Sequence, residues 1–181
     1  MTAAFVLGAI VGVGMLYVVV PVVASAYRRF RGTRVVTCPE TRDGAAVEVD
    51  ARHAALTAAL GGTELRLQDC SRWPERESCG QECLRQIEVA PEDCLVRTIL
   101  TKWYHERVCA LCGAPFEGID SWSHRTALLT PDGNTIEWSA VRSEKLPAVL
   151  ATYKPVCWNC HVAESFRLQH PELVTERRLL H

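Results

Sequence analysis

Residues 109–113 read CALCG and residues 157–161 read CWNCH, so two CxxC pairs stand 44 residues apart. Tetrahedral zinc takes four ligands, and a CxxC pair places two thiolates on one metal ion from a single tight turn. Gly113, directly after the first pair, lets the backbone turn away at low steric cost. The spacing therefore predicts a zinc site, whose ligands are Cys109, Cys112, Cys157 and Cys160.

The elements expected around these pairs are a hairpin and a helix. Residues 127–129 and 135–138 read as two short strands on either side of the turn signal at Pro131–Asn134. A helix is expected to follow the second pair and to end before Pro171. Over roughly residues 108–169 this order resembles a treble-clef zinc finger, in which a CxxC knuckle, a hairpin and a helix supply one zinc site.

Within that group the chain looks most like the core of the HNH nucleases, which show CxxCG, then a histidine near the hairpin, then CxxCH. By this resemblance His124 would be the base that activates water, and His161 would hold a further, catalytic metal ion. The family usually places an acid or a histidine directly before the base, where this chain has Ser123. We therefore expect a binding fold in preference to an active endonuclease.

Residues 157–161 also match CxxCH, the attachment motif of c-type haem. In that interpretation haem is bonded to both cysteines and His161 ligates the iron. It leaves Cys109 and Cys112 without a role and requires attachment outside the cytoplasm. Zinc is the preferred cofactor, and an electron-transfer protein with haem c or an iron–sulfur cluster is the alternative.

A long uncharged run begins the chain. Ala3 to Ala26 contains 24 residues without a charge, and about 20 apolar residues suffice to cross a bilayer as a helix. A cleaved signal peptide would need a basic segment before the apolar run, and residues 1–5 have none. Gly8 and Gly12 form a GxxxG motif through which two such helices could pair as a homodimer.

Basic residues follow the apolar run immediately, at positions 28, 29, 31 and 34. By the positive-inside rule they predict an N-terminus outside the cell and a cytoplasmic soluble part, with the arginines near the lipid headgroups of the bilayer. Residues 1–34 hold no acids, so the rest of the chain carries 16 basic and 21 acidic residues. This acidic surplus argues against nucleic acid as the partner.

Residues 35–107 are expected to form a small mixed unit. The expected strands cover residues 35–37, 46–49 and 64–67. Asp43-Gly44 is a hairpin turn signal, and Asp50 is a candidate cap for a helix over residues 51–60. A later helix over residues 91–106 should bury a stripe of every fourth residue, namely Leu95, Ile99 and Trp103.

Four more cysteines lie in this unit, at Cys38, Cys70, Cys79 and Cys83. The first two should follow strand ends, and the last two should share one face of a helix opened by Trp73-Pro74. One interpretation is a second four-thiolate site for zinc or an iron–sulfur cluster. The other is a set of buried apolar cysteines, since free cysteine is among the most buried residues.

Together these patterns predict an α+β protein with one N-terminal transmembrane helix. The expected segments are the transmembrane helix 1–27, a basic juxtamembrane segment 28–34, a cysteine-containing unit 35–107, a zinc module 108–172 and a tail 173–181. Four thiolates close the coordination sphere of zinc and leave no position for reactive water. We therefore expect a membrane-anchored, zinc-binding protein that interacts with the bilayer and a protein partner and is not an enzyme.

Overall fold

The computed structural model describes residues 2–73, 75, 78–105, 107–116 and 126–173. The chain divides into two compact units, Met1–Val96 and Arg97–His181. The boundary expected from the sequence, between residues 107 and 108, lies closer to the C-terminus than this division between Val96 and Arg97.

Both units mix helices with a small antiparallel sheet, so the α/β character expected from the sequence is confirmed. The elements up to residue 89 are α1 (Thr2–Phe30), β1 (Thr33–Thr37), β2 (Gly44–Val49), α2 (Ala51–Ala59), β3 (Leu67–Cys70) and α3 (Leu84–Val89). The later elements are α4 (Val96–Tyr104), β4 (Ala127–Leu129), β5 (Thr135–Glu137), α5 (Leu146–Thr152), β6 (Lys154–Val156) and α6 (Trp158–Gln169).

Helix α1 is long and apolar. Its 29 residues extend about 43 Å, which exceeds the roughly 30 Å of hydrocarbon in a bilayer. Over Gly8–Phe30 the mean hydropathy reaches 2.2, and little of this stretch is buried within the protein. The helix therefore has the length and composition needed to cross a membrane.

The last turn of α1 belongs to the core of the N-terminal unit. Phe30 is buried in a cluster with Val36, Val47 and Ile87, residues of β1, β2 and α3. The two-residue connection between Phe30 and Thr33 leaves no separate linker between the apolar helix and the sheet.

Arg34 lies inside this core instead of at a lipid surface. Its side chain is fully buried, and its guanidinium donates to the carbonyl oxygens of Phe30 at 2.6 Å, Gly32 at 2.9 Å and Arg29. The last carbonyls of a helix have no intrahelical partner and form the negative end of its dipole. The positive charge of Arg34 therefore caps α1, a role that the basic sequence pattern did not reveal.

The N-terminal sheet has the order β1-β2-β3 with antiparallel pairing. Helix α2 matches its prediction, because the Asp50 carboxylate accepts the backbone N–H of His53 at 2.9 Å. The β1–β2 hairpin turns over residues 39–42, with Arg42 at φ +60°, and Gly44 already lies in β2. The third strand covers residues 67–70, three positions beyond its prediction, since Leu67 rather than Leu65 pairs with Val49.

The prediction of a helix carrying Cys79 and Cys83 is wrong. Cys79 lies in irregular backbone, Gln81 has φ +53°, and the helix begins only at Leu84, directly after Cys83. The two sulfur atoms are therefore placed by a loop, and the helical spacing of four does not apply to them.

The buried stripe of α4 is displaced by one residue from its prediction. The helix begins at Val96, and its buried positions are Val96, Leu100 and Tyr104, whereas Ile99 and Trp103 are half-buried. Leu95 is buried as expected, but it lies before the helix and pairs with Arg34.

The C-terminal sheet has the order β5-β4-β6. The predicted hairpin is confirmed, since Leu128 lies opposite Ile136 and the intervening turn closes with the Thr130 N–H donated to the Asn134 carbonyl at 2.8 Å. Strand β6 was not predicted, because Pro155 in its middle weakens the strand signal. It pairs with the other edge of β4 and leads directly into the second cysteine pair.

Tyr104 joins α4 to this sheet. Its hydroxyl donates to the carbonyl oxygen of Ala127 at 2.7 Å, and burial raises the pKa of the phenol. Its ring lies 4.9 Å from that of Phe116, which packs against the buried core beside the cysteines. The residue therefore links the helix to the strand and to the core of the cysteine site.

We expect Tyr104→Phe to lower the free energy of unfolding by about 1–2 kcal/mol, because a buried hydrogen bond is lost while the ring remains. Chemical unfolding in detergent would measure the change. Tyr153→Phe is the matched control, since Tyr153 is partly exposed. Equal effects of the two substitutions would contradict the role of the Tyr104 hydroxyl.

Candidate metal centre

The first cysteine pair lies in a tight knuckle. Val108 and Pro115 pair across it, and the Cys109 N–H donates to the Ala114 carbonyl at 2.8 Å. The Gly113 N–H donates back to the Cys109 carbonyl at 2.8 Å, and Gly113 has φ +72°. A left-handed backbone at this position favours glycine, which explains the residue that follows the pair.

The second pair lies where β6 passes into α6. Cys157 is the residue immediately before α6, and Cys160 lies in its first turn. The Ala110 N–H in the knuckle donates to the Pro155 carbonyl in β6 at 2.9 Å. This bond between backbone segments far apart in sequence brings the two pairs together.

The four sulfur atoms of Cys109, Cys112, Cys157 and Cys160 all lie within 4.8 Å of one another. The Sγ atoms of Cys112 and Cys157 are 3.7 Å apart. Tetrahedral zinc with bonds of about 2.3 Å to sulfur separates its ligand atoms by roughly 3.8 Å. The geometry and the soft donor set therefore fit one metal ion, and the four predicted ligands lie together in one cluster that could hold it.

The surrounding backbone lowers the pKa of one of these thiols, that of Cys109. Burial acts to raise the pKa of Cys109, but backbone N–H groups, led by that of Cys157, outweigh it and lower the pKa to about 6. The Cys157 N–H lies 3.3 Å from the Cys109 sulfur. Burial and hydrogen bonds from the neighbouring thiols raise the pKa of Cys160. A bound cation would displace the protons of these thiols.

His161 faces the hairpin. Its Nδ1 lies 2.8 Å from the Thr135 hydroxyl on β5, and its ring is tilted against Trp158 with centroids 5.2 Å apart. Thr135 carried no signal in the sequence, because its pairing with His161 depends on the packing of α6 against the hairpin. His124, the other histidine of the HNH resemblance, lies outside the described residues.

We expect His161→Ala to leave the zinc content of the protein unchanged, because Thr135 holds Nδ1 and four cysteine thiolates are enough to complete a tetrahedral zinc site. Elemental mass spectrometry on the purified variant measures this directly. Cys112→Ser serves as the positive control for metal loss. A drop in zinc with His161→Ala equal to that control would identify the histidine as a ligand.

The other four predicted cysteines line one cavity in the N-terminal unit. The cavity has a volume of about 140 Å³ and is bordered by Cys38, Cys70, Cys79 and Cys83. Burial raises the pKa of the Cys83 thiol to about 11, and the nearby thiols of Cys70, Cys79 and Cys38 add to this shift. The ninth cysteine, Cys94, does not line the cavity and hydrogen-bonds the Ala90 carbonyl. None of the nine cysteines forms a disulfide in the structure.

Comparison with known proteins yields no family: no protein-family model, curated protein or solved structure matches the chain. Its function must therefore be inferred from the residues themselves.

Proposed function

We propose that this is a membrane-anchored zinc-binding protein whose soluble part lies in the cytoplasm and binds a protein partner. The observation that carries the proposal is the convergence of four cysteine sulfur atoms within 4.8 Å in a unit with a small core. Four thiolates saturate zinc, so the ion stabilises the fold and provides no open position for catalysis.

The membrane part of the proposal is supported by α1 and the charges at its end. The helix is long enough to cross a bilayer, and Arg28, Arg29 and Arg31 are exposed directly after its uncharged stretch. Such a cluster favours the cytoplasmic side. Since Ala26, the last residue of the uncharged run, is buried within the protein, removal of the run would also remove a buried residue, which favours a retained anchor.

The interaction part is supported by α6, none of whose residues is buried within the described part of the chain. Val162 and Phe166, four residues apart, form one exposed apolar strip and are 47% and 49% accessible. Exposed apolar surface on a helix is typical of a side that docks into a groove of another protein. We place the partner contact on this strip.

A photo-crosslinking amino acid at Phe166, in the full chain in its own membranes, tests the interaction. We expect a discrete crosslinked protein at this position and none from the matched position Glu164, which lies on the other side of α6. The product should disappear when Cys112→Ser removes the zinc. Equal crosslinking from both positions would contradict the assignment, and magnesium-dependent DNA cleavage by the purified protein would favour the nuclease alternative instead.

A further inference from the structure

The loop after Cys38 has the same backbone geometry as the knuckle after Cys109. The Arg42 N–H donates to the Cys38 carbonyl at 2.8 Å, and the Cys38 N–H donates to the Asp43 carbonyl at 2.8 Å. At Cys109, the Gly113 N–H donates to the Cys109 carbonyl and the Cys109 N–H donates to the Ala114 carbonyl, both at 2.8 Å. In both loops the partners are therefore the fourth and fifth residues after the cysteine. The fourth residue after each cysteine is left-handed, with φ +60° at Arg42 and +72° at Gly113.

This geometry directs backbone donors at the sulfur atom. The N–H of Thr41, three residues after Cys38, acts to lower the pKa of the Cys38 thiol, as the N–H of Cys112 does for Cys109. Hydrogen bonds from N–H groups stabilise a thiolate, which is the form that binds metal. The sequence did not reveal this knuckle, because Thr41 occupies the position that the second cysteine has in CxxC.

The sheet and the following loop bring three more thiols to the same place. Every second residue of β1 is buried, at Arg34 and Val36, and Cys38 is the next residue at this spacing. On β3, Cys70 lies opposite the buried Val47 of β2. Both cysteines therefore face the side of the sheet on which Ile87 of α3 is buried. Cys79 and Cys83 border the same cavity from the loop that precedes α3.

Packing in the core accounts for only part of this arrangement. Cys70 and Cys83 are buried in the core of the unit, but all four cysteines also border one cavity of about 140 Å³ that is open to solvent. Arg72, which pairs with Asp43, also borders it, together with Glu40 and Glu82. A space with four soft donors in its lining has the composition of a site for a thiophilic metal.

We propose that Cys38, Cys70, Cys79 and Cys83 form a second thiolate metal site, separate from the C-terminal zinc cluster and held entirely by the N-terminal unit. Among the described residues, only the C-terminal set has its sulfur atoms within 4.8 Å of one another. An iron–sulfur cluster holds its cysteines further apart than one zinc ion does, because iron and sulfide lie between them. Four cysteines that border one cavity without forming such a close set suit an iron–sulfur cluster, and a single zinc would require the loop at residues 79–83 to close around it.

The test uses the full chain, purified in detergent without oxygen, with zinc and iron per chain measured by elemental mass spectrometry and visible absorption. The parent should hold about two metal centres, and Cys79→Ser and Cys38→Ser should each lose about one. Cys79 is chosen because it lies in a loop and is partly exposed. Cys94→Ser, outside both sets, is the matched control and should lose none.

The identity of the lost metal distinguishes the two forms of the site. Loss of iron together with visible absorption identifies an iron–sulfur cluster, and loss of zinc alone identifies a mononuclear site. Limited proteolysis that still spares residues 1–96 shows that the N-terminal unit of Cys79→Ser is folded, and retention of the C-terminal zinc shows the same for the other unit. If both Cys79→Ser and Cys38→Ser keep the full metal content of the parent, the second site does not exist. Cys112→Ser tests the C-terminal zinc separately, so failure of one site is distinguishable from failure of the other.

Discussion

Cys157→Ser should remove the zinc from the C-terminal unit and unfold that unit, while the N-terminal unit stays folded. Cys157 is linked to both halves of the cluster, since its N–H donates to the Cys109 sulfur and its own sulfur lies 3.7 Å from that of Cys112. Structural zinc contributes on the order of 10 kcal/mol to folding in small modules. The described core beside the cluster consists of few residues, so it cannot replace that contribution.

Two measurements on the detergent-purified chain check this expectation. Elemental mass spectrometry should show about one zinc fewer per chain than in the parent. Limited proteolysis should cleave the Cys157→Ser chain after residue 97 and spare residues 1–96. Cys94→Ser, which alters a cysteine outside the cluster, should behave as the parent does. Full zinc and parent-like protease resistance in Cys157→Ser would show that the cluster binds no structural metal.

Arg34→Met should lower the free energy of unfolding of the N-terminal unit by about 1–3 kcal/mol. Methionine keeps much of the apolar stem, but it leaves the carbonyl oxygens of Phe30 and Gly32 without their charged donor inside the core. Arg34→Lys should recover only part of the loss, because a single ammonium group cannot reproduce the planar fork of a guanidinium.

Arg31→Met is the matched control, since Arg31 has the same charge and lies three residues away but is exposed. We expect it to change stability by less than about 0.5 kcal/mol. Unfolding of the full chain by urea in detergent micelles compares the three variants. If Arg31→Met and Arg34→Met were equally destabilising, the capping of α1 by Arg34 would be refuted.

Local signals predicted the parts of the fold that depend on neighbouring residues. The turn at Pro131–Asn134 predicted the β4–β5 hairpin, and Asp50 predicted the start of α2, because a turn and a cap are each formed within a few residues. The helical spacing of Cys79 and Cys83 was misleading, because a loop with Gln81 at φ +53° separates them. Spacing alone does not show whether the chain between two residues is helical.

The sequence by itself determined the long apolar helix and the four C-terminal cysteines that come together in the structure, since hydropathy and CxxC spacing can be read from contiguous residues. Only the tertiary structure decided that Arg34 caps α1, that β6 brings Cys157 to the first knuckle and that Cys38 lies in a matching knuckle beside a cavity. Each of these features depends on backbone hydrogen bonds or packing between segments distant in the chain. Such contacts leave no regular spacing in the sequence, because any backbone carbonyl can accept a hydrogen bond.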